Sequence, residues 1–351
     1  MVPLVDLARR FTPSAGELHE AVDEILRSGT ILLGSHTERF ETLFAEYVGT
    51  THAVAVSSGA SALQLTLAGI GLGPGDEVIL PAMTAVPTAS AVCAVGATPV
   101  FVDVDARTAT ISHDAVARAL SPRTSAIIGV HLYGRPMRNT NELTSFGLPL
   151  IEDCAQSHGA THGLSGIAGA YSFYPTKNLG GIGDGGMVVT NDADLAERLR
   201  RLRAHGQREQ YLHVDVSQNH RMSEIEAAWL TIQLRRLDDG NRRRRTIVNH
   251  YREEIPDISW QDNDSDHVHH LAVFLSSNRE VTRRKMSDSG VMTGVHYPLA
   301  LTQQPAMMKF ATNPCPEAEN WAARCVSVPC FPELTDSEVE SVVRALRISA
   351  T

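Results

Sequence analysis

Short apolar runs alternate with helix-forming segments between residues 52 and 192. Most runs are rich in Val, Ile, Leu or aromatic residues and end in a turn containing Gly, Pro or Ser. Near-continuous apolar strands alternating with helices are typical of a largely parallel sheet that helices cover on both faces, and ligands bind beyond the carboxyl ends of such strands. The pattern predicts an α/β fold with seven strands, at residues 52–58, 77–82, 98–105, 124–134, 148–156, 171–176 and 186–192.

Long helical segments replace this alternation further along the chain. They occupy residues 192–206 and 221–255. A shorter α/β region follows, with predicted strands at residues 268–277 and 294–301 and a closing helix at residues 335–346. The change predicts two domains, a large one of residues 1–240 and a small C-terminal one of residues 241–351.

Composition and charge argue against a nucleic-acid-binding protein and a membrane protein. The chain has 351 residues, of which 43% are apolar and 20% charged, as in ordinary globular proteins. Its net charge of −9 disfavours a nucleic-acid partner, and the basic run "NRRRR" at 241–245 is interpreted as a solvated or interface face of a helix. No apolar run reaches the roughly 18 residues that a membrane-spanning helix needs. We expect neither a nucleic-acid nor a membrane partner.

The thiols and imidazoles offer little for a metal site. Five cysteines form no CxxC pair and follow an N-terminus without an export signal, which predicts reduced thiols in a cytoplasmic protein. The run "HVHH" at 267–270 would place His267 and His269 on one face of a strand, but no carboxylate or cysteine pair completes a site there. We predict no metal and interpret these histidines as polar residues at a strand edge or an interface.

One lysine stands out. The chain has only three lysines, and Lys177 lies in the glycine-rich stretch "YSFYPTKNLGGIGDGGMVVT" at 171–190. Arginine stays protonated, whereas a desolvated lysine amine can lose its proton and attack a carbonyl carbon. Lys177 is therefore a candidate for covalent catalysis; the alternative is an exposed lysine in a turn.

Two other turns could complete a cofactor site. In "VAVSSGASALQL" a strand ends at Ser58 and a helix opens after Gly59, so free N–H groups favour a phosphate, although packing alone can produce such a turn. In "LIEDCAQSHGA" Asp153 either pairs with a protonated ring nitrogen or caps the next segment. Gln156 and His158 are further polar candidates in that loop. A phosphate anchor, an anion and an amine are the three groups that pyridoxal 5′-phosphate needs.

Five segments carry a family resemblance. They read "EDCAQSHGA", "SFYPTKNLGGIGDGGMVVT", "NHRMSEIEAA", "TGVHYPLALTQQPAM" and "SVPCFPELTDSEVESVV". In this order and spacing they resemble the DegT/DnrJ/EryC1/StrS family of pyridoxal-phosphate-dependent sugar aminotransferases, from residue 3 to the closing helix. The resemblance implies fold type I, with a large cofactor-binding domain and a smaller C-terminal one. It also implies a homodimer with active sites shared at the subunit interface.

The resemblance assigns cofactor contacts by motif position. It implies that Lys177 forms the Schiff base, that Asp153 pairs with the pyridinium nitrogen and that Gln156 lies beside the ring hydroxyl. The phosphate-binding residues that it implies are Ser172, Gly59, Ala60 and Ser61.

Two other segments are implied to meet the substrate. Asn219 and Arg221 correspond to a segment that reaches the cofactor phosphate or the substrate from the neighbouring subunit. His296 and Tyr297 correspond to a segment that lines the substrate pocket.

Two positions depart from the family pattern. Ala60 stands where many members have threonine, so a hydroxyl contact with the phosphate is lost while the backbone donors remain. Ala85, in "TAVPT", stands where many members have an aromatic ring that stacks on the cofactor. We expect Val86 or another segment to provide an apolar cover instead.

The expected activity is a two-stage amino transfer. By resemblance, L-glutamate gives its amino group to the cofactor, which then aminates a keto-sugar that we expect to be linked to a nucleotide, with Lys177 moving the proton. Sugar dehydratases of the same family carry histidine at the position of Lys177, which argues against dehydration.

Three alternatives have different requirements. An aminotransferase that acts on a cyclitol ketone shares the lysine and stays open, as do the sugar, its nucleotide, the position of the amine and the pathway. A non-catalytic regulator that binds pyridoxal phosphate would not need both Asp153 and Lys177 with their surroundings intact, and no appended DNA-binding segment is visible. A nicotinamide oxidoreductase would need a dinucleotide glycine pattern that the chain lacks.

Overall fold

A seven-stranded sheet forms the centre of the computed structural model, which describes residues 1–160 and 163–350. Its strands are β1 (His52–Val56), β2 (Glu77–Pro81), β3 (Thr98–Val102), β4 (Thr124–Val130), β5 (Leu150–Asp153), β6 (Ala168–Ser172) and β7 (Gly186–Thr190). The spatial order is β1-β7-β6-β5-β4-β2-β3. Only β7 runs antiparallel to its two neighbours, and the other pairs are parallel. The predicted mostly parallel seven-stranded sheet is confirmed.

Helices cover both faces of this sheet. They are α1 (Leu7–Phe11), α2 (Ala15–Ser28), α3 (Ser35–Val48), α4 (Gly59–Gly69), α5 (Val86–Ala94), α6 (His113–Ala119), α7 (Thr140–Thr144), α8 (Ala193–Leu202) and α9 (Glu224–Leu234). The next helix, α10 (Leu237–Glu254), packs mainly in the core of the small sheet. Alternate residues of β1 face opposite ways, because successive side chains of a strand point to opposite faces. Val54 packs in a core with Leu65 of α4, whereas Ala55 packs with Phe44 of α3 and Trp229 of α9.

A second, smaller sheet follows α10. Between α8 and α9, two short strands form a separate hairpin: β8 (Gln207–Glu209) and β9 (Leu212–His213). The small sheet contains β10 (Ser259–Trp260), β11 (Ala272–Leu275) and β12 (Cys325–Val328), all antiparallel. Its helices are α11 (Arg279–Asp288), α12 (Pro316–Arg324) and α13 (Asp336–Ala350). Single 3-10 turns lie at Thr12–Ser14, Leu132–Gly134, Leu301–Gln303 and Met308–Phe310.

Two strand predictions need correction. The predicted strand at 294–301 is wrong: the segment contributes one isolated bridge, from Gly294 to Ser327, and Pro298 cannot donate to a ladder. The strand that pairs with β11 is instead β12, whose four residues are too short a run to stand out. The strand predicted at 171–176 begins earlier and ends at Ser172, before Pro175.

The two predicted domains share elements. Helix α10 continues without interruption through residue 240, and Val2, at the start of the chain, packs with Val291 in the core of the small sheet. The division into residues 1–240 and 241–351 therefore stays a prediction.

Two global expectations can be compared with the structure. Among residues 1–160 and 163–350, each helix is too short or too polar to cross a bilayer. The five cysteines are free thiols. They are Cys93, Cys154, Cys315, Cys325 and Cys330, of which all but Cys93 are buried.

Candidate active site

The proposed phosphate-binding turn lies where β1 ends and α4 begins. Ser58 caps α4, because its Oγ accepts a hydrogen bond from the Ser61 N–H at 3.1 Å. A Cβ atom on Gly59 would lie 2.6 Å from Cβ of Ser172, so only glycine lets the start of α4 approach the end of β6 this closely. The turn and Ser172 are thus neighbours, as the predicted phosphate site requires.

The side chains around the turn leave its backbone donors available. Ser61 Oγ lies 3.0 Å from Ser58 Oγ and 3.0 Å from Nδ1 of the buried His220, which sequence reasoning missed. Within the described part of the chain, the N–H groups of Gly59 and Ala60 have no acceptor, and Ala60 is exposed. Two free N–H groups at the positive end of a helix fit a phosphate.

Asp153 is held in place at the end of β5. Its carboxylate accepts a hydrogen bond from Thr88 Oγ1 at 2.9 Å and another from the Ala155 N–H at 3.1 Å. Burial raises the pKa of Asp153, and both hydrogen bonds and the charge of Lys177 act against that shift. A buried, oriented carboxylate beside a cation fits the anion that a pyridinium ring requires. Sequence reasoning missed Thr88, although it belongs to the "TAVPT" segment already singled out.

Lys177 lies in the turn between β6 and β7 and is half-buried. Burial lowers the pKa of its amine to about 8, against the opposing charge of Asp153. The amine therefore loses its proton, which an attack on a carbonyl carbon requires, far more readily than an ordinary lysine does.

Arg10 fixes the backbone around this lysine. Its Nη1 donates to the carbonyl oxygens of Pro175, at 3.2 Å, and Lys177, at 2.8 Å. The guanidinium is only 8% exposed, and burial lowers its pKa to about 10. Sequence reasoning missed Arg10, because 165 positions of sequence separate it from the first of its partners.

Glu226 of α9 supports the glycine-rich part of the same turn. A Cβ atom on Gly181 would overlap Glu226 Oε1, so the turn packs directly on this carboxyl group. Burial raises the pKa of Glu226 to about 7, and the backbone N–H groups of Ile182 and Gly183 act against the shift. The glycines thus allow the backbone to approach a buried side chain.

A chain of hydrogen bonds joins the loop after β5 to the segment at 294–301. Gln156 Oε1 accepts from the Tyr133 N–H at 2.6 Å, and Gln156 Nε2 donates to Tyr297 Oη at 3.0 Å. The Tyr133 hydroxyl donates to the His296 carbonyl oxygen. Burial raises the pKa of Tyr297 to about 12 and lowers that of His296 to about 4, so both side chains are neutral near pH 7.

His296 and Tyr297 of this network line a cavity of about 250 Å³. Its lining includes Lys177, His296 and Tyr297, which the sequence predicted to share a site, together with Arg244 and His270. The prediction that the whole "NRRRR" run is a solvated or interface face is wrong for Arg244, which is 3% exposed. The 3.6-residue helical period turns this one arginine of the run inward.

Other candidates lie elsewhere. His158 is fully buried, with its ring packed against Tyr171 and Phe173 at centroid distances of 5.3 and 5.7 Å, and is an aromatic-core residue. His267 and His269 do not lie in a strand but before β11, both buried, with ring centroids 3.8 Å apart. The interpretation of these two as strand-edge residues is corrected accordingly.

Three residues assigned to the cofactor or substrate are exposed or half-buried in the single chain. Asn219 is exposed, and its Oδ1 accepts from Arg221 Nε at 2.9 Å. Neither residue contacts Lys177 or the phosphate turn within residues 1–160 and 163–350. Val86, the predicted apolar cover, is 37% exposed in the first turn of α5.

One group of side chains has the spacing of a metal site. His131, Glu152 and Cys154 are buried together beneath the sheet edge. His131 Nδ1 accepts from the Met137 N–H at 3.0 Å, so its Nε2 carries the proton that it donates to Glu152 at 2.9 Å. The other Glu152 oxygen accepts two backbone N–H groups at 2.8 Å. Because these atoms are already used in hydrogen bonds, the group is better explained as a structural network than as a metal site.

The chain belongs to the DegT/DnrJ/EryC1/StrS aminotransferase family, which residues 14–347 match. The fold and the site therefore define a pyridoxal-phosphate-dependent aminotransferase of fold type I, as the sequence predicted. The residues present fit that cofactor: free N–H groups at α4, a buried carboxylate at β5 and an amine of lowered pKa.

Two curated relatives and one solved structure are similar over nearly the whole chain. Erythromycin biosynthesis sensory transduction protein EryC1 of Saccharopolyspora erythraea is 39% identical, over 99% of this chain and 100% of its own length. The dTDP-3-amino-3,4,6-trideoxy-alpha-D-glucose transaminase of Streptomyces venezuelae is 41% identical, over 99% and 95%. The crystal structure of S. venezuelae DesV in complex with a ketimine intermediate has a TM-score of 0.95 and 40% identity, over 99% and 97%.

Proposed function

We propose that the protein transfers the amino group of L-glutamate to a nucleotide-linked keto-deoxysugar. One observation carries the proposal: Lys177, an amine of lowered pKa, lines a cavity together with Tyr297, and the charge of the buried Asp153 carboxylate acts on this amine. The similarity to a transaminase named for a dTDP-amino-trideoxyglucose supports the class of acceptor.

The side chains divide the work of the reaction. Bound pyridoxal phosphate supplies an electron-withdrawing ring that takes up the electron pair of the donor's Cα–H bond. Asp153 holds the ring nitrogen protonated, and the N–H groups of Gly59 and Ala60, with Ser172, hold the phosphate. Lys177 would hold the cofactor covalently at rest, and its amine, once released, would accept the proton from the donor carbon and return one to the acceptor carbon. Gln156 and Tyr297 orient the ring hydroxyl and close the pocket.

We further propose a homodimer in which each subunit completes the other's site. The β8-β9 hairpin and the segment after it expose apolar side chains, among them Tyr211 at 85% and Val216 at 102%, which supports burial against a second copy. The exposed Asn219 and the half-buried Arg221 follow this hairpin. The five free thiols support a reducing, cytoplasmic location.

The experiment is an absorption spectrum of the purified protein before and after L-glutamate, followed by keto-sugar nucleotides. We expect glutamate to convert the bound cofactor to its aminated form, and a dTDP-keto-deoxysugar to restore the original spectrum with formation of an amino sugar. An unchanged spectrum with full cofactor occupancy would contradict the proposed donor.

A non-catalytic regulator is the second candidate, because one similar protein is named a sensory transduction protein. The same experiment separates the two functions. A regulator would keep its cofactor and fail to aminate keto-sugar nucleotides and cyclitol ketones alike, whereas amination of a cyclitol ketone alone would support the alternative acceptor.

A further inference from the structure

Arg244 is a buried cation in the wall of the cavity that contains Lys177. Its Nη1 lies within 3.3–3.5 Å of the carbonyl oxygens of His269, His270 and Cys330, and 3.7 Å from Cys330 Sγ. All four acceptors are neutral and the contacts are long for hydrogen bonds. Within the described residues, its Nε and Nη2 have no partner and no carboxylate pairs with the guanidinium. The guanidinium therefore has no ion-pair partner among the described residues, although Glu333 lines a neighbouring cavity that Arg244 also borders.

The rest of the cavity increases this imbalance. No Asp or Glu is among its lining residues. Burial and the nearby charge of Lys177 lower the pKa of His296 to about 4, and burial also lowers that of His270, so both imidazoles are neutral near pH 7. A buried cation without an ion-pair partner is unfavourable, so the cavity favours an anionic ligand.

Size and shape narrow the ligand. Pockets for drug-sized ligands begin near 300 Å³, so a cavity of about 250 Å³ can hold a group of the size of an amino acid. The planar guanidinium matches a carboxylate through two parallel hydrogen bonds, and two of its nitrogens are unused. An amino acid in this cavity would present its amino group on the side of Lys177 and a carboxylate toward Arg244.

We propose that Arg244 binds a substrate carboxylate in this cavity. The proposal deepens and rests on the proposed function, in which the amino acid donor brings such a group to Lys177. A keto-sugar that carries a carboxylate would present the same chemistry, so the donor and the acceptor are the two sources to be distinguished.

The direct test is binding of glutarate, a dicarboxylate without an amine, to the cofactor-loaded protein by calorimetry. We expect Arg244→Gln, which keeps a donor for the carbonyl oxygens, to weaken glutarate at least about tenfold, in line with the loss of one charge-assisted pair. Arg243→Gln is the matched control, since Arg243 lies on the same helix but pairs with Asp336 at 2.6 Å outside the cavity. It should bind glutarate as the wild type does, and neutral glutaramide should bind wild type and Arg244→Gln equally.

Kinetics then identify the source of the carboxylate. A donor role predicts that Arg244→Gln raises KM for glutamate about tenfold or more and leaves KM for the acceptor nearly unchanged, while an acceptor role predicts the reverse. If the protein aminates no acceptor, glutarate binding still reports on Arg244, so the two proposals fail separately. Should Arg244→Gln not fold, Arg244→Lys keeps the charge without the fork and should show an intermediate loss. Equal glutarate affinity in folded wild type and variant, or no glutarate binding to the wild type, would overturn the proposal.

Discussion

The cofactor side and the partner side of the site are built differently. Asp153 and Ser58 are buried or half-buried and are held by hydrogen bonds from the same chain. Asn219 and Arg221 follow an exposed hairpin and have each other as a described side-chain partner. The residues proposed to hold the cofactor are thus already organised in one chain, whereas those proposed to meet a partner subunit lie on an exposed segment of it. Four predictions test this contrast.

The largest effect is expected at Lys177. Lys177→Ala removes the amine, so the rate of amino transfer should fall at least about 10³-fold. Lys177→Arg preserves the positive charge but should be equally inactive, because arginine does not release its proton. Steady-state rates measure both, with Lys309→Ala, an exposed lysine, as the control. A substantially active Lys177→Arg would show that charge, and not the neutral amine, is what the site needs.

Asp153→Asn should cost about 10²-fold or more in the rate of glutamate conversion. The amide keeps the shape but cannot hold the ring nitrogen protonated by charge. Thr88→Val removes one hydrogen bond to the carboxylate and should cost about tenfold, through orientation alone. Single-turnover absorbance traces give both values. If Thr88→Val lost as much as Asp153→Asn, the hydroxyl would have a role beyond orientation.

Mixing two inactive variants tests the shared site. Lys177→Ala and Arg221→Ala homodimers should each be nearly inactive, but their heterodimer contains one site with both residues intact. After denaturation and joint refolding, about a quarter of wild-type activity should return, given random pairing. The control is the same mixture refolded separately. Activity no higher than that control would mean that Arg221 acts within its own subunit or not at all.

The smallest effect concerns Glu226 and stability. Its pKa in the folded protein, about 7, lies above the ordinary value of 4.5, so the folded state binds this proton more tightly. Stability should therefore decrease as the pH rises from about 4.5 to 7 and stay reduced above it. Glu226→Gln removes this loss and should be more stable than the wild type at pH 8 by on the order of 3 kcal/mol, with little gain at pH 5.

Urea unfolding at the two pH values measures the difference. The control is Glu253→Gln, because Glu253 is an exposed residue of α10. This variant should show no such pH dependence. A Glu226→Gln variant that is less stable at both pH values would mean that the carboxylate binds the turn more strongly than burial disfavours it.

The sequence predicted what depends on local pattern and motif. Seven apolar runs gave the seven strands, and the position of Lys177 after β6 identified the reactive turn, because both signals lie within a few residues. Thr88, Arg10 and Arg244 escaped prediction because each acts through contacts with segments far away in sequence. The wrong strand at 294–301 has a related cause: an apolar run containing a proline packs beside the sheet without joining its ladder.

The antiparallel strand β7 has a consequence for the entropy of the site. Gly186 pairs with Val56 of β1 on one side and with Ser172 of β6 on the other. The loop that carries Lys177 therefore leaves and re-enters the sheet at adjacent positions, beside the turn that is proposed to hold the phosphate. Because the ends of this short loop are already joined by the ladder, the cost of closing it is met during folding and not when ligand arrives. The backbone that carries the amine is therefore confined before a ligand binds, and binding need not close this loop.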